Sequence, residues 1–226
     1  MVPEWLDLSA VVVGAFAGVL VGQKHKLDLV GFIAMCIICA LGGGLMRDII
    51  MQKGSVYALE SYWAIPACVA TALVGFCFPT ILSRHPNLYD LVDIVSVALF
   101  VVAGTSKAIA NDLHASSVVL MGTITGVGGG MLRDVFLGEV PRVFRKSNFY
   151  ALCAVVGSVA YYACMQVRDI GVTIAPFVTV FVVVLLRQLS LHFNIESPAD
   201  VDLEPKVVNT GKRVMRKVHR QRSKKR

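Results

Sequence analysis

Charged side chains are scarce in this sequence. Only 16% of the 226 residues are Asp, Glu, Lys or Arg, and 56% are hydrophobic. A soluble domain usually carries about 25% charged residues. Together with a mean hydropathy of +0.68, this balance excludes a disordered chain, a coiled coil and an ordinary water-soluble enzyme. It predicts a chain that is surrounded by lipid.

The sequence also lacks the motifs of catalysis and of metal binding. All six cysteines lie in apolar segments, and the pair Cys36 and Cys39 has neither a histidine nor a second cysteine pair beside it. Such cysteines are typical of apolar packing. No nucleophile–base set, metal cluster or phosphate-binding loop is recognisable. We therefore expect no enzymatic activity and no cofactor.

Long apolar segments dominate the chain instead. A membrane helix needs about 20 mostly apolar residues, and spans this apolar should be helices, because lipid offers no partner to backbone polar groups. We predict an all-α membrane protein with seven spans. They cover residues 6–22, 28–52, 64–82, 91–109, 115–137, 149–165 and 171–189.

Positive charge predicts the orientation of these spans. Ten Lys and Arg lie in residues 191–226, against four Asp and Glu. If this tail is cytoplasmic, the inner connectors carry six Lys and Arg and the outer connectors only two. Since Lys and Arg favour the cytoplasmic side, we predict that the amino terminus lies outside. The tail is expected to be disordered; it can contact anionic lipid, and nucleic acid is the less favoured partner.

The chain repeats itself at an offset of 86 residues. Asp7 matches Asp93, and the motif Gly-Gly-Gly-x-x-Arg-Asp occurs at 42–48 and again at 128–134. Each copy holds three spans, so the second copy should be inverted relative to the first, as in many transporters. We divide the chain into a first repeat at 1–86, a second at 87–170, a seventh helix at 171–190 and the tail at 191–226.

The two triglycine segments are the predicted centre of function. They comprise Gly42, Gly43, Gly44, Gly128, Gly129 and Gly130. Three glycines in succession weaken a helix, so we expect a break that frees backbone carbonyls for a cation and amides for an anion. The alternative is structural, because glycine also lets membrane helices pack closely.

Charged residues follow the glycines by one helical turn. A charge inside a membrane costs at least about 2.5–3.5 kcal/mol and is normally paired with an opposite charge or exposed to water. Neighbours on a helix point about 100° apart, so we expect Arg47 and Arg133 to pair with carboxylates other than the adjacent Asp48 and Asp134. Asp7 and Asp93 are the candidates for these partners. Direct contact with a solute and a structural ion-pair lock both remain open.

A single lysine stands apart from the repeat. Lys107 in the fourth span matches Val21 in the first copy and so has no basic counterpart. The favoured interpretation is that Lys107 snorkels to the outer surface, and the alternative is that it gates the pathway or repels cations.

The two glycine motifs carry a family resemblance. Together with Gly138-Glu139-Val140-Pro141, they resemble the bacterial glycine transporter domain proteins, which are similar in plan to the trimeric intracellular cation channels. The resemblance implies a location in the bacterial inner membrane and seven helices in a three-plus-three inverted repeat. It also implies glycine breaks in helices two and five, and a homotrimer with one pore per subunit. The first copy lacks the proline, so the two halves need not contribute equally.

Two functions are therefore expected. The first is transport of a small polar solute, with glycine suggested only by the family label. The second is conduction of a monovalent cation such as potassium. A flux beyond about 10⁵ per second would exclude alternating access, because large conformational steps take microseconds to milliseconds or longer.

Overall fold

A computed structural model of the chain describes residues 4–78, 88–145, 149–167 and 171–193. Within these ranges the chain forms eight α-helices and no strand. They are α1 (Glu4–Lys24), α2 (Leu29–Met51), the single-turn α3 (Tyr57–Glu60), α4 (Ala64–Cys77), α5 (Leu88–Ala110), α6 (Ala115–Phe136), α7 (Tyr150–Met165) and α8 (Gly171–His192).

Local sequence signals account for the ends of these helices. The side chain of Asp28 caps α2 by accepting a hydrogen bond from the amide of Gly31 at 2.8 Å, the usual role of Asp at an N-cap. Gln52, with a φ of 48°, ends the same helix in a left-handed conformation. Asp112, with a φ of 53°, takes that conformation just after α5.

The helices match the predicted spans in position but not always in length. Five are long and apolar enough to cross a membrane, whereas α4 and α7 are shorter apolar helices. The third predicted span, 64–82, is observed as helix only to Cys77, and residues 79–82 lie outside the described residues. The apolar pattern of the sequence does not predict α3. Apart from residues 191–193, the basic tail also lies outside the described ranges.

The predicted helix breaks at the triglycine segments are wrong. Both α2 and α6 continue as α-helix through Gly42–Gly44 and Gly128–Gly130. Tertiary packing overrides the low helix propensity of glycine here, because each segment lies where the two helices meet. The backbone carbonyls that a break would free therefore remain in the helical hydrogen-bond ladder.

The repeats are visible in how the helices pack. In the first half α1, α2 and α4 contact one another, and in the second half α5, α6 and α7 do the same. Across the halves α1 packs on α5 and α2 packs on α6, so that equivalent helices meet. The additional helix α8 packs on α5 and α7.

Candidate functional site

The triglycine segments form the crossing of α2 and α6. A Cβ atom built on Gly129 would lie 2.5 Å from the carbonyl oxygen of Cys39, and one built on Gly43 would clash with the carbonyl oxygen of Thr125. These contacts are reciprocal, since Cys39 and Thr125 are themselves 86 residues apart. Small residues let membrane helices approach to backbone contact. The structural alternative for these glycines is therefore the one observed.

The third glycine of each motif has different surroundings. For a Cβ on Gly44 the nearest atom is an Arg47 nitrogen at 4.0 Å, whereas a Cβ on Gly130 would lie 2.8 Å from the phenolic oxygen of Tyr150. Gly44 lines an open cavity. The space beside Gly130 is occupied by an aromatic side chain.

A first charged cluster, comprising Asp7, Arg47, Asp48 and Lys107, lies where α2 and α5 end. The Nε atom of Arg47 donates to Oδ1 of Asp48 at 2.7 Å, and Nζ of Lys107 donates to the same oxygen at 2.9 Å. Lys107 also donates to the carbonyl oxygen of Ser55 at 2.5 Å. The other carboxylate oxygen of Asp48 accepts from the amide of Tyr57 at 3.1 Å.

These contacts correct two expectations about the first cluster. Lys107 does not snorkel outward; it ties α5 to α2 and to the segment before α3. Arg47 pairs with the adjacent Asp48 rather than with Asp7, because a long arginine side chain can fold back along its own helix. Asp7 makes no hydrogen bond or ion pair within the part of the chain that the structure describes.

A second charged cluster, comprising Asp93, Arg133, Asp134 and Arg142, lies where α5 begins and α6 ends. Asp93 and Lys107 are fourteen residues apart on α5, or about 21 Å at the helical rise, so the two clusters occupy opposite ends of the bundle. Arg133 donates from Nη1 to Asp93 at 2.9 Å and from Nε to Asp134 at 2.8 Å. The pairing with Asp93 confirms the predicted partner, and the pairing with Asp134 was not expected.

Arg142 completes the second cluster. Its amide donates to Asp134 at 2.9 Å, and its guanidinium lies 3.3 Å from Asp90 and 3.7 Å from Asp93. The guanidinium also lies over the ring of Tyr89, 4.7 Å from the centroid. Burial alone would lower the pKa of Arg142, but the coulombic effects of Tyr89 and Asp93 hold it above its ordinary value. Arg142 is therefore a fixed positive charge.

An open cavity of about 790 Å³ adjoins the first cluster. Its walls come from α1, α2, α5, and the segment 54–63, and it reaches Thr125 of α6, which is buried. Three carboxylate residues line it, Glu4, Asp7 and Glu60. The cationic residues that line it, Arg47 and Lys107, both bond to Asp48. Free negative charge thus exceeds free positive charge along the walls, which favours a cation.

Sequence reasoning missed several residues at the ends of the bundle. The sequence indicates Arg142 only as one of the six Lys and Arg of the inner connectors, and no motif includes Tyr89 or Tyr150. One signal in the sequence points to Tyr150, because the equivalent position in the first repeat is Ala64. A position that is bulky in one repeat and small in the other marks a place where the two halves differ in shape.

The model of the family described as Glycine transporter matches the chain twice, over residues 4–80 and 90–166. The chain belongs to that family. The two matches are offset by the same 86 residues as the motifs, so each repeat of this family member is one copy of the domain.

Curated relatives of this family member are bacterial membrane proteins. This chain is 29% identical over 203 residues to the UPF0126 inner membrane protein YadS of Escherichia coli K12, and the match covers 88% of this chain and 96% of the relative. It is 34% identical over 160 residues to a UPF0126 membrane protein of Deinococcus radiodurans, covering 70% and 74%.

Solved structures similar to this family member are cation channels. A structure described as a basis for conductance through TRIC cation channels matches with a TM-score of 0.76 and 28% identity, covering 89% of this chain and 98% of the channel. The TRIC trimeric intracellular cation channel orthologue from Rhodobacter sphaeroides matches with a TM-score of 0.77 and 26% identity, covering 85% and 98%. The chain is thus a membrane transport protein with the fold of these channels.

Proposed function

We propose that the protein conducts monovalent cations through a pathway between its two repeats, which lie antiparallel in the membrane. The observation that carries the proposal is the open cavity lined by Asp7, Glu4 and Glu60. It descends between α1, α2 and α5 as far as Thr125 of α6. A carboxylate-lined entrance concentrates cations. The similarity to TRIC cation channels supports the same conclusion.

The proposed arrangement in the membrane has seven spans, formed by α1, α2, α4, α5, α6, α7 and α8. The amino terminus lies outside and the basic tail in the cytoplasm, as the distribution of Lys and Arg favours. The cavity and the first cluster then face the outside, and the second cluster faces the cytoplasm. Bacterial relatives described as inner membrane proteins support the inner membrane as the location.

Subunit assembly and the tail are part of the same proposal. We expect a homotrimer with one pathway per subunit, supported by the description of the Rhodobacter sphaeroides orthologue as trimeric. The tail is expected to contact anionic lipid at the cytoplasmic surface. No enzymatic activity is proposed, and nucleic acid is not among the expected partners.

The direct test is flux in liposomes. Purified protein should dissipate a potassium gradient at rates beyond about 10⁵ ions per second, which exceed what large conformational steps allow. Protein-free liposomes provide the baseline. If the same preparation is folded and trimeric but accumulates labelled glycine and passes no potassium, cation conduction is wrong.

A carboxylate at the entrance should set the rate. Asp7→Asn is expected to lower potassium flux at low ionic strength several-fold, because it removes a negative charge from the cavity without changing its shape. The loss should shrink in high salt as screening increases. A suitable control is Asp28→Asn at the N-cap of α2, since Asn caps a helix about as well as Asp. Equal flux in both variants at low salt would contradict a role for Asp7.

A second candidate is transport of a small zwitterion such as glycine. The specific observation in its favour is that Arg47, Lys107 and Asp7 line the same cavity, so a carboxylate and an ammonium group could both find a partner. Glycine also appears in the family description. Uptake that saturates at rates below about 10³ per second, with no potassium flux, would favour this candidate.

A further inference from the structure

The two halves differ beside the third glycine of each motif. Gly44 faces the open cavity, whereas Gly130 faces the phenol of Tyr150. The residue equivalent to Tyr150 in the first repeat is Ala64, whose side chain cannot reach as far. An aromatic ring therefore fills, at the cytoplasmic end of the proposed pathway, space that is related by the repeat to the open cavity.

Tyr150 is deeply buried in this position. Only 5% of the residue is exposed, and it packs in one apolar cluster with Val97 and Val127. Its ring also lies 5.4 Å from the guanidinium carbon of Arg187. Val97 and Val127 are the repeat equivalents of Val11 and Leu41, which line the open cavity.

The hydroxyl of Tyr150 has no hydrogen-bond partner among the described residues, although its oxygen is buried. A buried tyrosine hydroxyl normally finds a partner, and leaving it without one is costly. The packed position of Tyr150 is thus stabilised by its ring and destabilised by its hydroxyl. The side chain can leave a position of this kind for one in which water reaches its hydroxyl.

The second charged cluster lies at the same end of the bundle. Arg133 is 2% exposed and joins α6 to α5 through Asp93. Arg142 lies against Asp93 as well, at 3.7 Å. In the first repeat the equivalent residues, Asp7 and Arg47, line the open cavity instead of pairing with each other.

We propose that Tyr150 is a movable plug that closes the cytoplasmic half of the pathway, with the Asp93–Arg133 ion pair beside it. This proposal rests on the proposed function only for the statement that the pathway carries a cation. The plug opens when the ring of Tyr150 leaves its place beside Gly130 and the hydroxyl meets water.

Two substitutions at the same position should have opposite effects. Tyr150→Ala reproduces the residue of the open half and is expected to raise potassium flux per folded trimer at least ten-fold. Tyr150→Phe keeps the ring and removes the costly hydroxyl, so it should stabilise the closed state and lower flux about five-fold or more. A purely structural role predicts that neither substitution raises flux.

The matched control is Tyr162→Phe in the same helix. Tyr162 is half-buried and packs on a different apolar cluster, with Met51 and Ala108. Its substitution should leave flux per folded trimer unchanged within two-fold. If Tyr150→Ala lowers flux, or Tyr150→Phe raises it, the plug is overturned.

A second measurement separates the plug from the identity of the solute. The substitution Val97→Cys is introduced into a variant that lacks the native cysteines. Membrane vesicles that contain this protein are treated with a charged thiol reagent from one side or the other. We expect at least ten-fold faster labelling from the cytoplasmic side when Tyr150→Ala is added. This result supports the plug even if the protein passes no potassium, in which case only cation conduction fails. Unchanged labelling overturns the plug.

Discussion

Gly129→Ala is expected to destabilise the protein by about 3 kcal/mol and to abolish flux. The added Cβ would lie 2.5 Å from the carbonyl oxygen of Cys39. That obstacle is backbone within a helix, so it cannot rotate away, and α2 and α6 must separate. Overpacking of a tight core typically costs about 1–3 kcal/mol, and a backbone obstacle on a central crossing should lie at the upper end. Thermal unfolding of the purified protein in detergent measures the loss.

The same motif supplies the control. Gly44→Ala adds the same methyl group where the nearest atom is 4.0 Å away. Alanine is favoured over glycine inside a helix by about 1 kcal/mol, so this variant should be as stable as the unmodified protein or slightly more so. Equal losses in Gly44→Ala and Gly129→Ala would mean that the glycines act through flexibility rather than through contact between helices.

The positions of the long helices could be predicted from the sequence because lipid imposes one strong rule. An apolar run of about 20 residues must satisfy its own backbone, and it does so as a helix. The chain follows this rule in α1, α2, α5, α6 and α8. The short helix α3 obeys no such rule, because it lies in a connector and depends on contacts such as that between the Tyr57 amide and Asp48.

The state of the glycines could not be predicted, since composition does not distinguish a broken helix from a close crossing. Both interpretations require small residues at mid-membrane, and the choice depends on what faces them. Gly43 faces Thr125 and Gly129 faces Cys39, and these contacts exist only once α2 and α6 have met. The close crossing is favoured over broken helices because it keeps the backbone hydrogen bonds of both helices and also packs the two helices together.

The sequence predicts a partner of the buried arginines correctly in only one of the two halves. Asp93 is one of the two predicted candidate partners for the arginines, and it pairs with Arg133. The equivalent pairing of Asp7 with Arg47 is not observed. Asp48 binds both Arg47 and Lys107 at that end, and Lys107 has no basic equivalent in the other repeat. A departure from the repeat in the sequence therefore marks the place where the two halves differ in structure.

Asp93→Asn should destabilise the protein by about 3–5 kcal/mol. It leaves Arg133, which is 2% exposed, with Asp134 as its remaining carboxylate among the described residues. It also removes the carboxylate that Arg142 faces at 3.7 Å. Removing one partner of a buried ion pair is costly because the other charge stays buried. The loss is measured as a fall in the unfolding temperature and in the yield of folded protein from the membrane.

The repeat provides a matched comparison, because Asp7 is the equivalent carboxylate on α1. Asp7 lines the open cavity and makes no ion pair within the described residues, so Asp7→Asn should cost less than about 1 kcal/mol while lowering flux. Adding Arg133→Gln to Asp93→Asn removes the stranded charge, and the double variant should be more stable than the sum of the single losses predicts. Strict additivity would show that Asp93 and Arg133 are not energetically coupled, and the closed cytoplasmic end would then depend on Tyr150 and its packing alone.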